Sequence, residues 1–464
     1  MRPARAGYPL PVSTPLPPVA LYLHLPFCVA HCPYCDFVVY AGGEARGPRA
    51  RTERLYEAVG RELEMRADAL DERFGRPDSG GPRRPDKGGP TDEHGPTDER
   101  GPRRPDKGGP TDERGRTDER GPRRPLDSVY FGGGTPSLVP GEWLERLMET
   151  AQRRYGLARD AEVTLEANPG PDERGDLAGF AAAGVNRVSF GAQSMNGGEL
   201  RRLGRRHSPE DVATAVAEAR AAGLGSVNLD LLYDVPGQTI AGWEATLRAA
   251  LELRPDHLSL YALTLDDPDA EGLTGETGDH LPTSSGARRW REAARREQDD
   301  DRAAEQYRLA SDLLAGSGWR GYEISNWARP GHESRHNLTY WERRPYEAVG
   351  PGSHAFDGAV RRWNGAALQP YIAALLPAAG PGVVPPGDRE VISPETAAAE
   401  RSILALRLDR GVPAAWADEP SAAGAFAWGR SSGLLEAVEL DGEARLRLTL
   451  RGRLLSNELF ERLL

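Results

Sequence analysis

The sequence predicts an α/β protein built around a parallel sheet. Short apolar runs alternate with amphipathic helical segments from residue 19 to about residue 263, the pattern of successive β/α units. Polar residues or glycines punctuate the ends of the apolar runs, where the rim of such a sheet holds its ligands. All three cysteines of the 464-residue chain fall in one of these punctuations. With 38% hydrophobic residues the chain can bury a large core, and its length suits two or three domains.

Taken in order, residues 1–18 are a Pro-rich tail without the apolar stretch of a signal peptide. A buried strand over 19–25 leads into the cysteine loop. Leu55, Ala58, Val59 and Leu63 then share one face of a helix over 52–70. Residues 72–125 differ in kind. Gly-Pro-Arg-Arg-Pro-Asp-Lys-Gly-Gly-Pro-Thr-Asp-Glu stands at 81 and again at 101, and Phe74 is the one apolar side chain. Such a segment cannot bury enough surface to offset its ordering entropy, so it reads as a disordered insertion. Strands come next at 126–131, 161–166, 186–190, 226–232 and 257–263, with helices at 142–154, 172–183, 209–222 and 240–253. Six β/α units give either an open doubly wound sheet or an incomplete barrel, and residues 19–280 form this core.

Residues 281–384 read as an extension of the core. Its charged start, ending in Gln298-Asp299-Asp300-Asp301, suggests a solvated helix, and 322–356 is rich in Gly, His, Asn and aromatics. Residues 385–464 offer a helix over 397–408, an Asp441-Gly442 hairpin turn, an alternating strand at Leu446, Leu448 and Leu450, and a terminal helix. That order predicts a small α+β, winged-helix-like domain.

The net charge of −11 argues against a nucleic-acid or anionic-lipid footprint. It also favours docking or a lid role for the winged-helix-like domain over DNA binding. No run approaches the 18 apolar residues of a membrane span. Three clustered cysteines are no disulfide framework, and they suit a reducing compartment, the cytoplasm.

Cys28, Cys32 and Cys35 are spaced C-x3-C-x2-C after the first strand. Alone, this fits a zinc site completed by His24 or His31, or a 4Fe-4S cluster with one iron left open. Tyr34 and Phe37 are placed to shield or flank such a centre. Gly132, Gly133 and Gly134 come directly after the second strand, and bare backbone there can meet a ligand's ammonium and carboxylate. Glu166, Gln193 and Asp230 close or punctuate three further apolar runs. Three such residues on one rim favour a polar ligand with hydroxyls and an amine.

Together these residues resemble the radical S-adenosylmethionine (SAM) superfamily. The likeness rests on C-x3-C-x2-C followed by Gly-Gly-Gly-Thr-Pro, and it extends through Glu-Ala-Asn-Pro, Arg-Val-Ser-Phe-Gly-Ala-Gln-Ser-Met and Asp-Leu-Leu-Tyr-Asp-Val-Pro-Gly-Gln-Thr. This series is similar to the anaerobic coproporphyrinogen III oxidase group. The resemblance implies a partial (β/α)6 TIM-like barrel and a 4Fe-4S cluster on Cys28, Cys32 and Cys35. It implies SAM beside Gly133, Gly134 and Thr135, with Tyr22, Tyr34, Glu166, Gln193, Arg205, Asp230 and Thr264 at the remaining contact positions.

The oxidase proper carries a fourth cysteine where this chain has Phe37, and a longer N-terminal arm. His336-Asn337-Leu338-Thr339-Tyr340-Trp341 instead matches the H-N-x-x-Y-W motif of the HemW heme chaperones. That resemblance implies heme contact by His336, Tyr340 and Trp341, with His332 and His354 as alternatives. It implies transfer of heme to an acceptor protein, with the membrane surface as one place for the acceptor. A radical-forming coproporphyrinogen oxidase is the competing reading, and a homodimer is compatible with both. Asp234-Val235 stands where the family reads Gly-Leu, which places an acidic residue near Asp230.

Overall fold

The computed structural model describes residues 14–42, 51–77, 123–265, 268–275 and 277–464. The N-terminal residues 1–13 and the repeats of the expected insertion, at 78–122, lie outside the described residues.

Six parallel strands form the centre: β1 (Ala20–Leu25), β2 (Leu126–Gly133), β3 (Leu157–Ala167), β4 (Arg187–Gln193), β5 (Ser226–Tyr233) and β6 (His257–Ala262). They pair in chain order, for example Leu23 with Phe131 and Val188 with Val227. Alternation sorts their side chains. Val188 and Phe190 are fully buried in the main apolar core, whereas Ser189 on the other face bonds to Asp230. Apolar helices therefore pack outside and polar groups fill the inside.

The connecting helices start where local chemistry permits. Ser208 and Asp211 form a capping box for Pro209–Ala221, and the Thr239 hydroxyl caps Ile240–Glu252. The helix expected at 172–183 is shorter, Leu177–Ala182. Gly175 takes φ 68°, which breaks the turn, and Asp176 caps the helix that begins at Leu177.

After β6 the chain extends both edges of the sheet. Asn326–Ala328 pairs antiparallel with β6, and Tyr346–Val349 pairs parallel with β1. The helix Arg335–Trp341 connects these opposite edges and sets His336 among the inward side chains of β1 and β2. Strands His354–Phe356, Val360–Asn364 and Gly387–Val391 widen the β1 side to complete a twelve-stranded sheet. The last of these lies past residue 385 and pairs with Val360–Asn364.

Two other expectations change. Residues 284–304 are not one solvated helix: Ser285–Arg295 ends, Asp299 caps Asp300–Gly316, and Arg291 is buried. The helix after the cysteine loop runs to Phe74, beyond 70. Pro77 then bridges Arg123, whose Nε donates to Gly75 O at 2.6 Å. The base of the low-complexity stretch is thus pinned on both sides.

The C-terminal unit has its own core of Leu406, Val412, Phe426, Leu446 and Leu459. Helices Pro394–Arg407 and Ala423–Ser431 precede the hairpin Leu435–Leu440 and Glu443–Leu448, turned by Asp441 and Gly442 at positive φ. Val412–Pro413 adds a third strand. Leu450, expected in the hairpin strand, instead opens the short helix Leu450–Leu454.

Candidate cofactor site

The cysteine loop leaves β1 at the C-terminal rim of the barrel and is held from three sides. Thr135 Oγ1 donates to Cys28 Sγ at 3.4 Å, and Arg205 Nη1 to Cys32 Sγ at 3.5 Å. From the helix Ser285–Arg295, Arg291 donates to Pro33 O at 3.1 Å and to Cys35 O at 2.9 Å. The three thiols are unpaired and partly buried, and the Cys28 thiol is pushed up to about 11, chiefly by burial with Cys32 adding to it. Burial also raises Cys35, with Cys28 and Cys32 next in effect. The thiols therefore face one another, and binding of metal must displace their protons.

Among the described residues, no three Cys, His, Asp or Glu side chains converge tightly enough for a single metal ion. Three thiols with no fourth cysteine in the chain would leave one iron of a four-iron cluster open. His24, one expected fourth zinc ligand, is fully engaged: its Nε2 donates to Val38 O at 2.9 Å, and its Nδ1 accepts from Tyr22 OH at 3.0 Å. It braces the loop and orients Tyr22.

The glycine run packs tightly against the end of β1 and the start of the cysteine loop. A Cβ on Gly133, at φ 113°, would lie 2.6 Å from His24 Cε1, and one on Gly134 2.6 Å from Pro26 C. Gly133 N donates to Glu166 Oε2 at 3.1 Å and Tyr130 OH to Oε1 at 2.8 Å. Burial nevertheless lifts Glu166 to about 7. Asp230 accepts from Ser189 Oγ at 3.0 Å and Asn228 Nδ2 at 2.7 Å, and burial raises it too. Two desolvated carboxylates facing the interior are poised for a cation. Gln193, at φ 63°, turns out of β4 where its register breaks.

Arg205 also donates to Gly191 O at 2.8 Å and to Asn168 Oδ1. Tyr34 is half-buried beside it and tilts against Trp290, with ring centroids 6.4 Å apart. Phe37 does not shield the thiols, since it is 65% exposed. Thr264 stands exposed past β6. Asp234 points away from Asp230: it pairs with Arg302, and its backbone N donates to Gln306 Oε1 at 3.0 Å. The unusual Asp234-Val235 therefore anchors the helix Asp300–Gly316 and leaves the pocket alone.

The expected heme segment divides. His336 is 1% exposed, with Nδ1 bonded to Ser128 Oγ at 3.0 Å and Nε2 to Tyr340 OH at 2.8 Å. Burial pushes it down to about 3, so it is neutral, and neither ring nitrogen is left for iron. Trp341 faces elsewhere, with the Arg407 guanidinium 4.3 Å over its ring. His332 Nδ1 lies 3.2 Å from Ser226 Oγ, and His354 sits on the rim side, apart from His336. Sequence reasoning missed Tyr130, Asn168, Arg187 and Arg291. Each is an ordinary residue of a strand, loop or helix; hydrogen bonds across the fold give Tyr130, Asn168 and Arg291 their roles, and Arg187 acts through its charge on Glu166 and Asp230.

A radical SAM superfamily model matches residues 96–250. The heme chaperone HemW of Mycobacterium tuberculosis is 34% identical over 463 residues, which cover 99% of each chain. That of Escherichia coli is 32% identical over 339 residues, 73% of this chain and 70% of the relative. Among solved structures, coproporphyrinogen III oxidase (HemN) from Escherichia coli, a radical SAM enzyme, matches 97% of this chain and 91% of its own. The TM-score is 0.68 and the identity 20%, so that likeness speaks to fold alone: a partial TIM-like barrel with a C-terminal domain. This chain belongs to the HemW heme chaperone family within the radical SAM superfamily.

Proposed function

We propose that this chain is a heme chaperone that carries a 4Fe-4S cluster and SAM on one barrel rim, binds heme, and passes it to an acceptor protein. The observation that carries the reading is the joining of the three-thiol loop to the glycine run and the two desolvated carboxylates. Cys28, Cys32 and Cys35 would hold three irons of the cluster, and position 37 adds no fourth ligand because a phenylalanine side chain has no donor atom.

When bound, the cluster supplies an electron to the SAM sulfonium. The protein's part is orientation and exclusion of water. Gly133, Gly134 and Thr135 leave room for the methionyl end of SAM, and Glu166 and Asp230 offer charge and acceptors to its amine and hydroxyls. Tyr22, Tyr34, Gln193 and Arg205 complete the wall, and Thr264 lies at its mouth. Among the described residues no helix is long and apolar enough to cross a membrane. We place the protein in the cytoplasm, with an acceptor at the membrane surface and a homodimer as the finer parts of this reading.

The test is anaerobic reconstitution followed by three assays on one preparation: iron and sulfide content, hemin titration, and incubation with coproporphyrinogen III, SAM and reductant. A cluster, saturable hemin binding and no decarboxylated porphyrin are expected. Formation of protoporphyrinogen together with 5'-deoxyadenosine would make the protein an oxidase and overturn the proposal.

A further inference from the structure

Residues 277–284, after β6, carry a cluster of side chains on the rim that the SAM site does not use. His280 Nδ1 donates to Asp279 Oδ1 at 3.0 Å, and His354 Nε2 donates to Asp279 Oδ2 at 2.7 Å. Asp279 is thus fixed from both sides. The His280 side chain is 28% exposed, and its Nε2 makes no hydrogen bond among the described residues. His354 is in turn stacked on Trp363, with centroids 5.8 Å apart and planes at 21°.

This cluster adjoins the cysteine loop. A Cβ on Gly352 would touch both Val38 and Asp279 O, so the two loops meet there. Asp36, next to Cys35, faces His280 closely enough to act on its charge. Phe37 beside it offers an exposed aromatic ring. Ala366 N donates to Gly278 O at 2.8 Å and Gly365 N to Pro386 O at 2.7 Å, which brings the segment of exposed Val383 and Val384 alongside.

An imidazole that donates Nδ1 to a carboxylate and leaves Nε2 free is the arrangement of a metal-ligating histidine. A bare cation needs three or more protein ligands, and none of the described clusters provides them. An iron already held by four porphyrin nitrogens needs only an axial one. We propose that His280 is the axial ligand of heme iron on the rim beside the cysteine loop, oriented by Asp279 and braced by His354. This rests on the heme-binding reading above and assigns that function a place distinct from the His336 interior.

The test titrates the reconstituted full chain with hemin and, separately, with metal-free protoporphyrin. His280→Ala is expected to abolish the imidazole-type Soret shift and weaken hemin binding about tenfold or more, leaving metal-free protoporphyrin within about twofold. Added imidazole should restore the spectrum in His280→Gly, which separates ligand loss from misfolding. Asp279→Asn should keep heme but raise its midpoint potential, because the ring loses a carboxylate partner. Wild-type spectra and affinity in His280→Ala would overturn the assignment, as would failure of imidazole to rescue a folded, cluster-loaded His280→Gly. If His336→Ala alone loses the shift, this inference falls and the chaperone reading stands. If the wild-type chain binds no hemin, both fall.

Discussion

The barrel holds imidazoles at two levels that differ in what their ring nitrogens can still do. In the interior, His336 and His257 have both nitrogens bonded, His257 to Asn228 Oδ1 at 2.6 Å and Tyr322 OH at 2.9 Å. On the rim, His280 and His354 each spend one nitrogen on Asp279 and keep the other unbonded among the described residues. Residue type is the same at both levels. Saturated and dry, an imidazole ties elements together; braced and half-exposed, it can ligate a metal.

The largest break in this contrast is at the rim. Cys35→Ser removes one of three thiolates and should eliminate cluster assembly, read as loss of iron, acid-labile sulfide and cluster absorption after reconstitution. Retention of a full cluster would exclude Cys35 as a ligand.

At the interior level the cost should appear as stability. His336→Ala orphans Ser128 and Tyr340 and leaves a cavity, so about 2–4 kcal/mol of destabilisation is expected in denaturant unfolding. The hemin spectrum should survive. The pH dependence comes from the depressed pKa of His336, about 3 against an ordinary value near 6.5. The folded state favours the neutral ring, so this stability is complete above about pH 6.5 and declines as pH falls toward 3. His24 and His207, lowered by burial to about 4, act in the same direction. His336→Phe should flatten the acid limb, and an unchanged limb would remove His336 from its cause.

Glu166→Gln sharpens the cofactor side. Loss of a charge-assisted contact should weaken SAM binding about tenfold. Because Glu166 titrates near 7, wild-type affinity should rise between pH 6 and 8 as the carboxylate ionises, and the variant should be flat. A wild-type curve without slope would place SAM elsewhere. The smallest effect is expected from replacing residues 78–122 with a short linker between Pro77 and Arg123. These two residues already form a bridge, so stability should change by less than about 1 kcal/mol. Cluster loss in that protein would reveal a role for the repeats.

The β/α rhythm was legible because burial leaves a periodic mark, as in Val227, Leu229 and Leu231 of β5, all fully buried. The cysteine loop and the glycine run stood out because thiols in C-x3-C-x2-C spacing and a run of three glycines are rare in a chain with three cysteines. The interior did not. Arg187 is 3% exposed and its Nε is unbonded, with Glu166 and Asp230 near enough to feel its charge. Nothing in Asn-Arg-Val-Ser announces that.

The sequence alone therefore determined the parallel α/β core, the rim where the cysteine loop meets the strand ends and the C-terminal unit with its own core, since each arises from local periodicity and turn chemistry. Only the tertiary structure decided which histidines are closed and which are open. It carried the helix Arg335–Trp341 between the two edges of the sheet, so that Ser128, 208 residues distant in sequence, occupies a nitrogen of His336. It also brought His354 to Asp279 across 75 residues. A ring nitrogen is free or engaged according to its neighbours in space, and no spacing along the chain encodes those neighbours.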